Sequence, residues 1–296
     1  MERSNQAASR GDLKIKIAVQ KSGRLYEDSL KLLKDCGIGV RNGVNQLRTE
    51  AEHFPMEIYF LRDDDIPQYV EDAVADIGIV GENVVYEKNR KVQLVEQLGF
   101  GKCRLSVAVG RGDHYQGVQS LNGKKIATTY PFLLGRFLEK NKIQAEIHEI
   151  SGAVEIAPGI GLADAIVDLV SSGSTLFMNG LKEVETVLAS EAVLIRNQNL
   201  NEAKQKLLDK FLFRIRAVKK ARNHKYILLN APNEKLREII QLLPGMKSPT
   251  VLPLAEPGWS SVHSVLQEDA FWEIIEKLKE SGAQGILVVP IEKMIV

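Results

Sequence analysis

The sequence predicts an α/β protein with two similar lobes, followed by a smaller domain. The order strand, polar loop, helix, strand in residues 15–61 recurs in residues 124–150, and each copy leads to a buried strand opened by Ala-Asp, at 75–81 and 163–170. Strands that alternate with helices of about ten residues are typical of open, mostly parallel sheets. The length of 296 residues is also more than one hydrophobic core usually organises.

Composition and charge exclude several classes of protein. The formal net charge of +1 gives no general attraction for nucleic acid or an anionic membrane. Apolar runs fall short of the roughly 20 residues of a membrane span, and the first residues lack the apolar core of a signal peptide. We therefore expect a cytoplasmic protein. Cys36 and Cys103 fit a reducing compartment as buried thiols, and the five histidines show no metal-ligand spacing.

The first lobe begins with the stretch 15–38, in which a short β-branched strand is followed by a polar loop with Gly23 and an amphipathic helix that is ended by Gly37. A second strand, 57–61, precedes the loop RDDDIP, in which Asp65 is a good helix cap. The second lobe repeats this order. Both lobes therefore present polar loops directly after their strands.

Two segments, 95–110 and 191–197, are predicted to be strands that cross between the lobes, which makes the connection a hinge. Two lobes leave a cleft between them. In open α/β sheets, ligands bind beyond the carboxyl ends of the strands. Candidate site residues are therefore expected in the loops that directly follow strands.

One such loop, SSGST, follows the predicted strand AIVDLV and leads into a helix. Unpaired backbone N–H groups favour an anion there, Gly173 permits a conformation closed to other residues, and small hydroxyl side chains let a phosphate approach. Asp168, at the strand end, suits neighbouring sugar hydroxyls or a metal-bound water. The alternative is a serine-rich turn with a capping threonine. The residues predicted to hold the phosphate are Ser171, Ser172, Gly173, Ser174 and Thr175.

Other loops and one crossing strand carry charges that suit a ligand rich in phosphates and sugar hydroxyls. Glu155, in the loop SGAVE, is a carboxylate for a positive charge that develops on a sugar. Each position alone also fits a turn or a cap, so only the combination predicts a site. The basic and glycine positions are Lys21, Gly23, Arg24, Arg62 and Arg104.

The remaining segment follows a helix predicted at 201–223 and has the order strand, helix, strand, strand, helix, strand. This βαββαβ order predicts a ferredoxin-like sandwich of about 70 residues. It contains no catalytic loop, so we expect it to bind an effector or to join subunits. Asn230, Thr250 and Ser261 offer neutral hydrogen-bonding groups for an amino acid, although each also fits a turn or a cap.

Long motifs occur in a fixed order along the chain. They are QKSGRL, RDDDIP, DIGIVGENV, CRLS, NGKKIAT, SGAVEIAP, GLADAIVDLVSSGSTL, LLPGMKSPTVLPL and ILVVPIEKM. In these motifs the chain, from about residue 13 to its end, resembles the long form of ATP phosphoribosyltransferase, the first enzyme of histidine biosynthesis. The resemblance implies a two-lobed catalytic part of the type II periplasmic-binding-protein-like class and a C-terminal regulatory domain.

The resemblance also implies a reaction and a set of ligands. N1 of the ATP adenine would displace pyrophosphate from phosphoribosyl pyrophosphate, with Mg²⁺, to give N1-(5-phosphoribosyl)-ATP. The segment 168–176 would bind phosphoribosyl pyrophosphate with Glu155 and Asp168 at the ribose, and the basic and glycine positions would bind ATP. L-Histidine would inhibit through the C-terminal domain, and the assembly would be a homohexamer built from dimers.

Two other classes share the lobe pattern. A non-catalytic two-lobed small-anion binding protein would usually carry an export signal, and the effector half of a transcription regulator would need a helix-turn-helix. Formation of pyrophosphate separates an enzyme from both. The predicted boundaries are a tail at 1–12, a first lobe at 13–109 and 191–223, a second lobe at 110–190 and a regulatory domain at 224–296.

Overall fold

The computed structural model describes residues 13–41, 46–243 and 248–295, so the predicted tail at 1–12 lies outside the described residues. The strands are β1 Ile15–Gln20, β2 Gly39–Val40, β3 Arg48–Glu52, β4 Met56–Leu61, β5 Ile77–Gly81, β6 Val92–Gln97, β7 Cys103–Gly110, β8 Lys125–Thr128, β9 Glu146–Glu149, β10 Ala165–Val170, β11 Leu181–Ser190, β12 Ala192–Asn197, β13 His224–Pro232, β14 Thr250–Pro253, β15 Trp259–Gln267 and β16 Gln284–Pro290. The helices are α1 Arg24–Asp35, α2 Ile66–Glu71, α3 Glu82–Lys88, α4 Pro131–Asn141, α5 Ser174–Met178, α6 Glu202–Arg222, α7 Leu236–Leu242 and α8 Glu268–Glu280.

The first lobe is built on a sheet with the strand order β2-β3-β4-β1-β5-β12-β6. Its centre is parallel, because β1 pairs in parallel with both β4 and β5. Ile17, Ile58 and Ile77 on these strands are fully buried. Central parallel strands are covered on both faces, which explains their nearly continuous apolar sequences.

The second lobe is built on a sheet with the order β11-β7-β10-β8-β9. Here β8 pairs in parallel with β9 and β10, whereas β7 runs antiparallel to β10 and β11. Because β7 belongs to this sheet, the chain passes from the first lobe into the second in the loop 98–102. The predicted boundary, at residue 110, lies too late in the chain. The segment predicted as one crossing strand is two strands, β6 and β7, in different sheets.

Two adjacent connections join the lobes, in agreement with the predicted hinge. One runs from β6 to β7 and the other from β11 through Glu191 to β12. Backbone hydrogen bonds tie them together, from Leu98 N to the Ala192 oxygen and from Ala192 N to the Phe100 oxygen, both 2.9 Å. Two such sheets joined by two crossings form the expected type II periplasmic-binding-protein-like architecture.

The C-terminal part confirms the predicted βαββαβ sandwich. Its strands lie in the antiparallel order β14-β15-β13-β16, and α7 and α8 supply apolar residues to the same core as β13 and β15. The chain divides into two compact units between Asp209 and Lys210, inside α6 and not at its end. The second half of α6 belongs to the C-terminal unit, within which Met294 N donates to the Ala217 oxygen at 3.0 Å. No described helix is long and apolar enough to cross a membrane.

Candidate active site

The loops after β1 and β4 lie side by side at the carboxyl edge of the first sheet. The parallel register pairs Gln20 with Leu61, and the N–H of Lys21 donates to the Leu61 oxygen at 2.8 Å. This pairing brings Lys21 and Arg24 to the same edge as Arg62. All three side chains are exposed and, in the described residues, none has an ion-pair partner. They are therefore available to an anionic ligand.

The backbone conformation at position 23, between the two basic residues of the first loop, requires a glycine. Its φ of 87° lies in the region that favours glycine, and it directly precedes α1. The predicted set of basic and glycine positions in the first lobe is therefore brought together by the structure. Its assignment to ATP stays a prediction.

The segment SSGST directly follows β10 and turns into the short helix α5. Gly173 has φ 79° and ψ 0°, a left-handed conformation, and its carbonyl accepts the N–H of Phe177 at 3.0 Å. Ser171 and Ser172 are exposed. In the described part of the chain, the backbone N–H groups of Ser171, Ser172, Gly173 and Thr175 have no hydrogen-bond partner. Exposed N–H groups around a left-handed glycine form a concavity suited to an anion. We call residues 171–175 the cradle.

Asp168 and Glu155 lie close enough to influence each other. Burial raises the pKa of Asp168, and the negative charge of Glu155 raises it further, although the N–H of Leu169 donates to its carboxylate at 2.7 Å and acts in the opposite direction. Glu155 sits in the 3-10 turn Val154–Ile156, which packs against β10. Two neighbouring carboxylates, one poorly solvated, favour a positive charge between them.

Arg104 lies on β7 of the second lobe and supports the cradle. Its guanidinium forms an ion pair with Glu183 on β11 and also donates to the Ser171 oxygen at 3.3 Å. The hydroxyl of Ser106 donates to the same Glu183 at 2.8 Å. Arg104 is therefore engaged within the second lobe, unlike the basic residues of the first lobe. Its assignment to ATP stays a prediction.

A cavity in the second lobe lies away from the cradle. It measures about 740 Å³ and is lined by residues at the amino ends of β8 and β10, among them Lys125 and Ala165. The cradle is at the opposite, carboxyl end of β10. A smaller cavity of about 460 Å³ borders the cradle, with Gly173 and Glu183 in its lining.

Comparison with known proteins identifies the family. The family model for ATP phosphoribosyltransferase (HisG) matches residues 62–217, and the model for the HisG C-terminal domain matches residues 221–293. The chain belongs to the ATP phosphoribosyltransferase family. It is 59% identical to the ATP phosphoribosyltransferase of Cytophaga hutchinsonii over 95% of this chain and 98% of that protein.

Further relatives agree with this assignment to the ATP phosphoribosyltransferases. The chain is 57% identical to the ATP phosphoribosyltransferase of Bacteroides thetaiotaomicron over 95% of this chain and all of that protein. Among solved structures it is similar to a chain of the ATP phosphoribosyl transferase (HisG:HisZ) complex from Thermotoga maritima, with a TM-score of 0.59 and 27% identity over 68% of this chain and 96% of that chain. The resemblance found in the motifs is confirmed, and the protein is an enzyme.

The two thiols are poorly placed for nucleophilic chemistry. Cys36 is buried, and burial raises the pKa of the half-buried Cys103. Within the described ranges, no group of three or more His, Cys, Asp or Glu side chains could hold a metal ion. A divalent cation here would take its further ligands from water or from substrate phosphate oxygens.

The candidate effector residues share one face of the C-terminal sheet. Asn230 on β13 lies opposite Ser261 on β15, and Thr250 on β14 lies opposite His263. Sequence reasoning missed His263, whose ring contacts the Ser261 hydroxyl at 3.0 Å and the Tyr226 hydroxyl at 2.7 Å. The alternation of side chains along β15 could have found it, since residues 261 and 263 point to the same face.

Two residues of the catalytic lobes were also missed. Asp63 is not among the candidate residues of the sequence analysis, yet one of its carboxylate oxygens is buried and, in the described chain, has no hydrogen-bond partner. Tyr130 follows β8, and its pKa is raised by burial and by the charges of Asp168, Asp63 and Asp64. Tyr130 therefore lies where strand-end loops of both lobes meet.

Proposed function

We propose that the cradle binds the 5-phosphate of phosphoribosyl pyrophosphate and that the basic loops of the first lobe bind ATP. The observation that carries this proposal is the set of N–H groups around left-handed Gly173 that have no partner among the described residues, next to the poorly solvated Asp168. A phosphate supplies acceptors to these donors, and the sugar attached to it would then lie at Asp168. Lys21, Arg24 and Arg62, which form no ion pair within the part of the chain that the structure describes, offer positive charge for a triphosphate.

In this proposal the reaction is a direct displacement. Adenine N1 attacks the anomeric carbon of phosphoribosyl pyrophosphate, the bond to the pyrophosphate oxygen breaks, and pyrophosphate leaves with the electron pair. Positive charge develops on the ribose while the bond breaks. Asp168 and Glu155 stabilise that charge more than they stabilise the neutral sugar, which lowers the barrier. Neither residue needs to form a covalent intermediate.

The residues also fit Mg²⁺. This cation is usually held by one or two carboxylates together with substrate phosphates, and Glu155 and Asp168 are two carboxylates beside the proposed phosphate site. When bound, it neutralises charge on the pyrophosphate. The part played by the chain itself is to bring the two carboxylates to the phosphate.

We further propose that L-histidine inhibits the enzyme through the C-terminal domain and that the assembly is a homohexamer built from dimers. Support comes from a complete βαββαβ domain without a catalytic loop and from Asn230, Thr250 and Ser261 on one sheet face. Control at the first step of a pathway limits wasted ATP. The coupling must be a difference in histidine affinity between two states of the enzyme. The cytoplasmic location stays a prediction.

The test is to incubate the purified protein with ATP, phosphoribosyl pyrophosphate and Mg²⁺. We expect pyrophosphate to form in proportion to a new adenine chromophore, and neither to form when ATP is omitted. Binding of both substrates without pyrophosphate would favour the non-catalytic small-anion binding protein instead.

A further inference from the structure

Tyr130 is fixed beside Asp168 by the hydrogen bonds of β8. Its backbone N–H donates to the Thr128 hydroxyl at 2.9 Å, and that hydroxyl donates to the Val167 oxygen at 2.7 Å. The parallel register pairs Thr128 with Val167, the residue before Asp168. Tyr130 therefore directly precedes α4 at the same sheet edge near which Asp168 lies, two residues before the end of β10.

The phenol of Tyr130 is held from the first lobe by Asn83 on α3. The side-chain amide of Asn83 donates to the Tyr130 hydroxyl at 3.3 Å. Ser190 fixes the orientation of this amide, because its hydroxyl donates to Asn83 Oδ1 at 2.9 Å and accepts the Asn83 backbone N–H at 3.0 Å. Asn83 and Ser190 are buried, so the amide has no freedom to turn away.

A second contact from α3 holds the helix that directly follows Tyr130. The carboxylate of Glu87 accepts the backbone N–H groups of Phe132 at 3.0 Å and Leu133 at 2.9 Å. These are donors of the first turn of α4 that have no partner inside the helix. The position of Tyr130 thus depends on both lobes and not on the second lobe alone.

The hydroxyl of Tyr130 keeps its proton and has a hydrogen to offer. It accepts a hydrogen bond from Asn83, but in the described chain no acceptor for its own hydrogen is present. Burial raises the pKa of the phenol, and the carboxylates of Asp168, Asp63 and Asp64 raise it further. The group is a neutral donor at any physiological pH.

We propose that Tyr130 contacts the substrate, and that its hydroxyl, oriented by Asn83, donates a hydrogen bond to a negatively charged oxygen of phosphoribosyl pyrophosphate beside Asp168. This inference rests on the proposed function, since it takes Asp168 as the carboxylate at the ribose. The two side chains are complementary: Asp168 accepts from sugar hydroxyls, and Tyr130 donates to a phosphate oxygen. The hydrogen bond from this neutral donor becomes stronger as negative charge grows on the phosphate oxygen during the reaction.

The experiment compares Tyr130→Phe, which removes only the hydroxyl, with the wild-type enzyme. We expect kcat/KM for phosphoribosyl pyrophosphate to fall about tenfold or more, while KM for ATP changes by less than about twofold. Tyr115→Phe is the matched control. Tyr115 is also a half-buried tyrosine packed on the core of the second lobe, but its hydroxyl donates to Glu185 at 3.1 Å, and its loss should leave kcat/KM unchanged.

The part played by Asn83 is tested by Asn83→Ala alone and combined with Tyr130→Phe. If Asn83 acts through the phenol, the double variant loses no more activity than the more damaged single variant. A kcat/KM of Tyr130→Phe within about twofold of wild type, or an equal loss in Tyr115→Phe, would overturn the inference. Phosphoribosyl pyrophosphate binding that survives Gly173→Val would overturn the proposed function, and this inference with it.

Discussion

Replacing Gly173 by valine should abolish phosphoribosyl pyrophosphate binding and leave the fold intact. Gly173 has φ 79°, where a residue with a side chain costs about 1–2 kcal/mol. A Cβ atom there would meet only Val170 Cγ1, at 3.9 Å, which is ordinary contact. The Cβ itself therefore adds no clash, and for a unit of this size the backbone strain lowers Tm by roughly 2–8 °C.

The effect on binding should be much larger. The valine methyl groups would occupy the surface from which the N–H groups of the cradle reach a phosphate. Losing two hydrogen bonds to a charged group, each about 1.5–3 kcal/mol, costs about 3–6 kcal/mol. That corresponds to a loss in affinity of at least about a hundredfold. Calorimetric titration with phosphoribosyl pyrophosphate and Mg²⁺ measures it, and circular dichroism checks the fold.

Gly123→Val is the matched control. Gly123 also has a positive φ, 70°, with no atom within 4 Å of a Cβ, but it precedes β8 at the other end of the sheet. It should show similar strain and normal binding. Wild-type affinity in Gly173→Val with an intact dichroism spectrum would refute the reasoning, and an equal loss in both variants would show that strain and not access is responsible.

Asp168→Asn should lower kcat at least tenfold, about 1.4 kcal/mol, because it removes a charge that stabilises the ribose cation. Steady-state kinetics measure this change. Wild-type turnover in the variant would show that Asp168 is only a strand-end residue. Burial and the charge of Asp64 raise the pKa of Asp63 from 3.8 to about 6. The folded protein therefore binds the proton of this carboxyl group more tightly than the unfolded chain does. As a result, the free energy of unfolding falls as the pH rises from about 4 to 6. Asp63→Asn should abolish this pH dependence of stability and should be more stable than the wild type at pH 8 by up to about 3 kcal/mol. Urea unfolding curves of the variant that keep the pH dependence of the wild type would show that Asp63 is not its cause. Millimolar L-histidine should inhibit the full chain. Ser261→Ala should weaken this inhibition more than Ser264→Ala, which alters the buried side of the same strand. A full chain whose activity is insensitive to histidine would contradict the regulatory proposal.

Repetition along the chain predicted the lobes well because each copy combines a β-branched strand, a glycine and an amphipathic helix, which are local signals. β11 was missed for the opposite reason. Its sequence, LKEVETVLAS, mixes charged and apolar residues without strict alternation, and the strand carries two irregularities in its pairing with β7. The same pairing moves β7 into the second sheet, and a boundary set by such long-range pairing is invisible to local patterns.

The cradle and the basic loops were predictable because a strand, a glycine and small or basic residues stand together in sequence. Tyr130 was not, since its environment depends on Asn83 and Asp168, which are distant in the chain and meet only in the folded lobes. The alternation of β15 could have indicated His263. The ion pair of Arg104 with Glu183 could not have been foreseen, because it joins two strands of which one was missed.

The most direct test of the account is a crystal structure of the enzyme with phosphoribosyl pyrophosphate and Mg²⁺. We expect the 5-phosphate within hydrogen-bond distance of the backbone N–H groups of residues 171–175, and the ribose hydroxyls at Asp168. A 5-phosphate bound elsewhere, for example in the cavity at the amino ends of β8 and β10, with the cradle N–H groups facing only water, would contradict it.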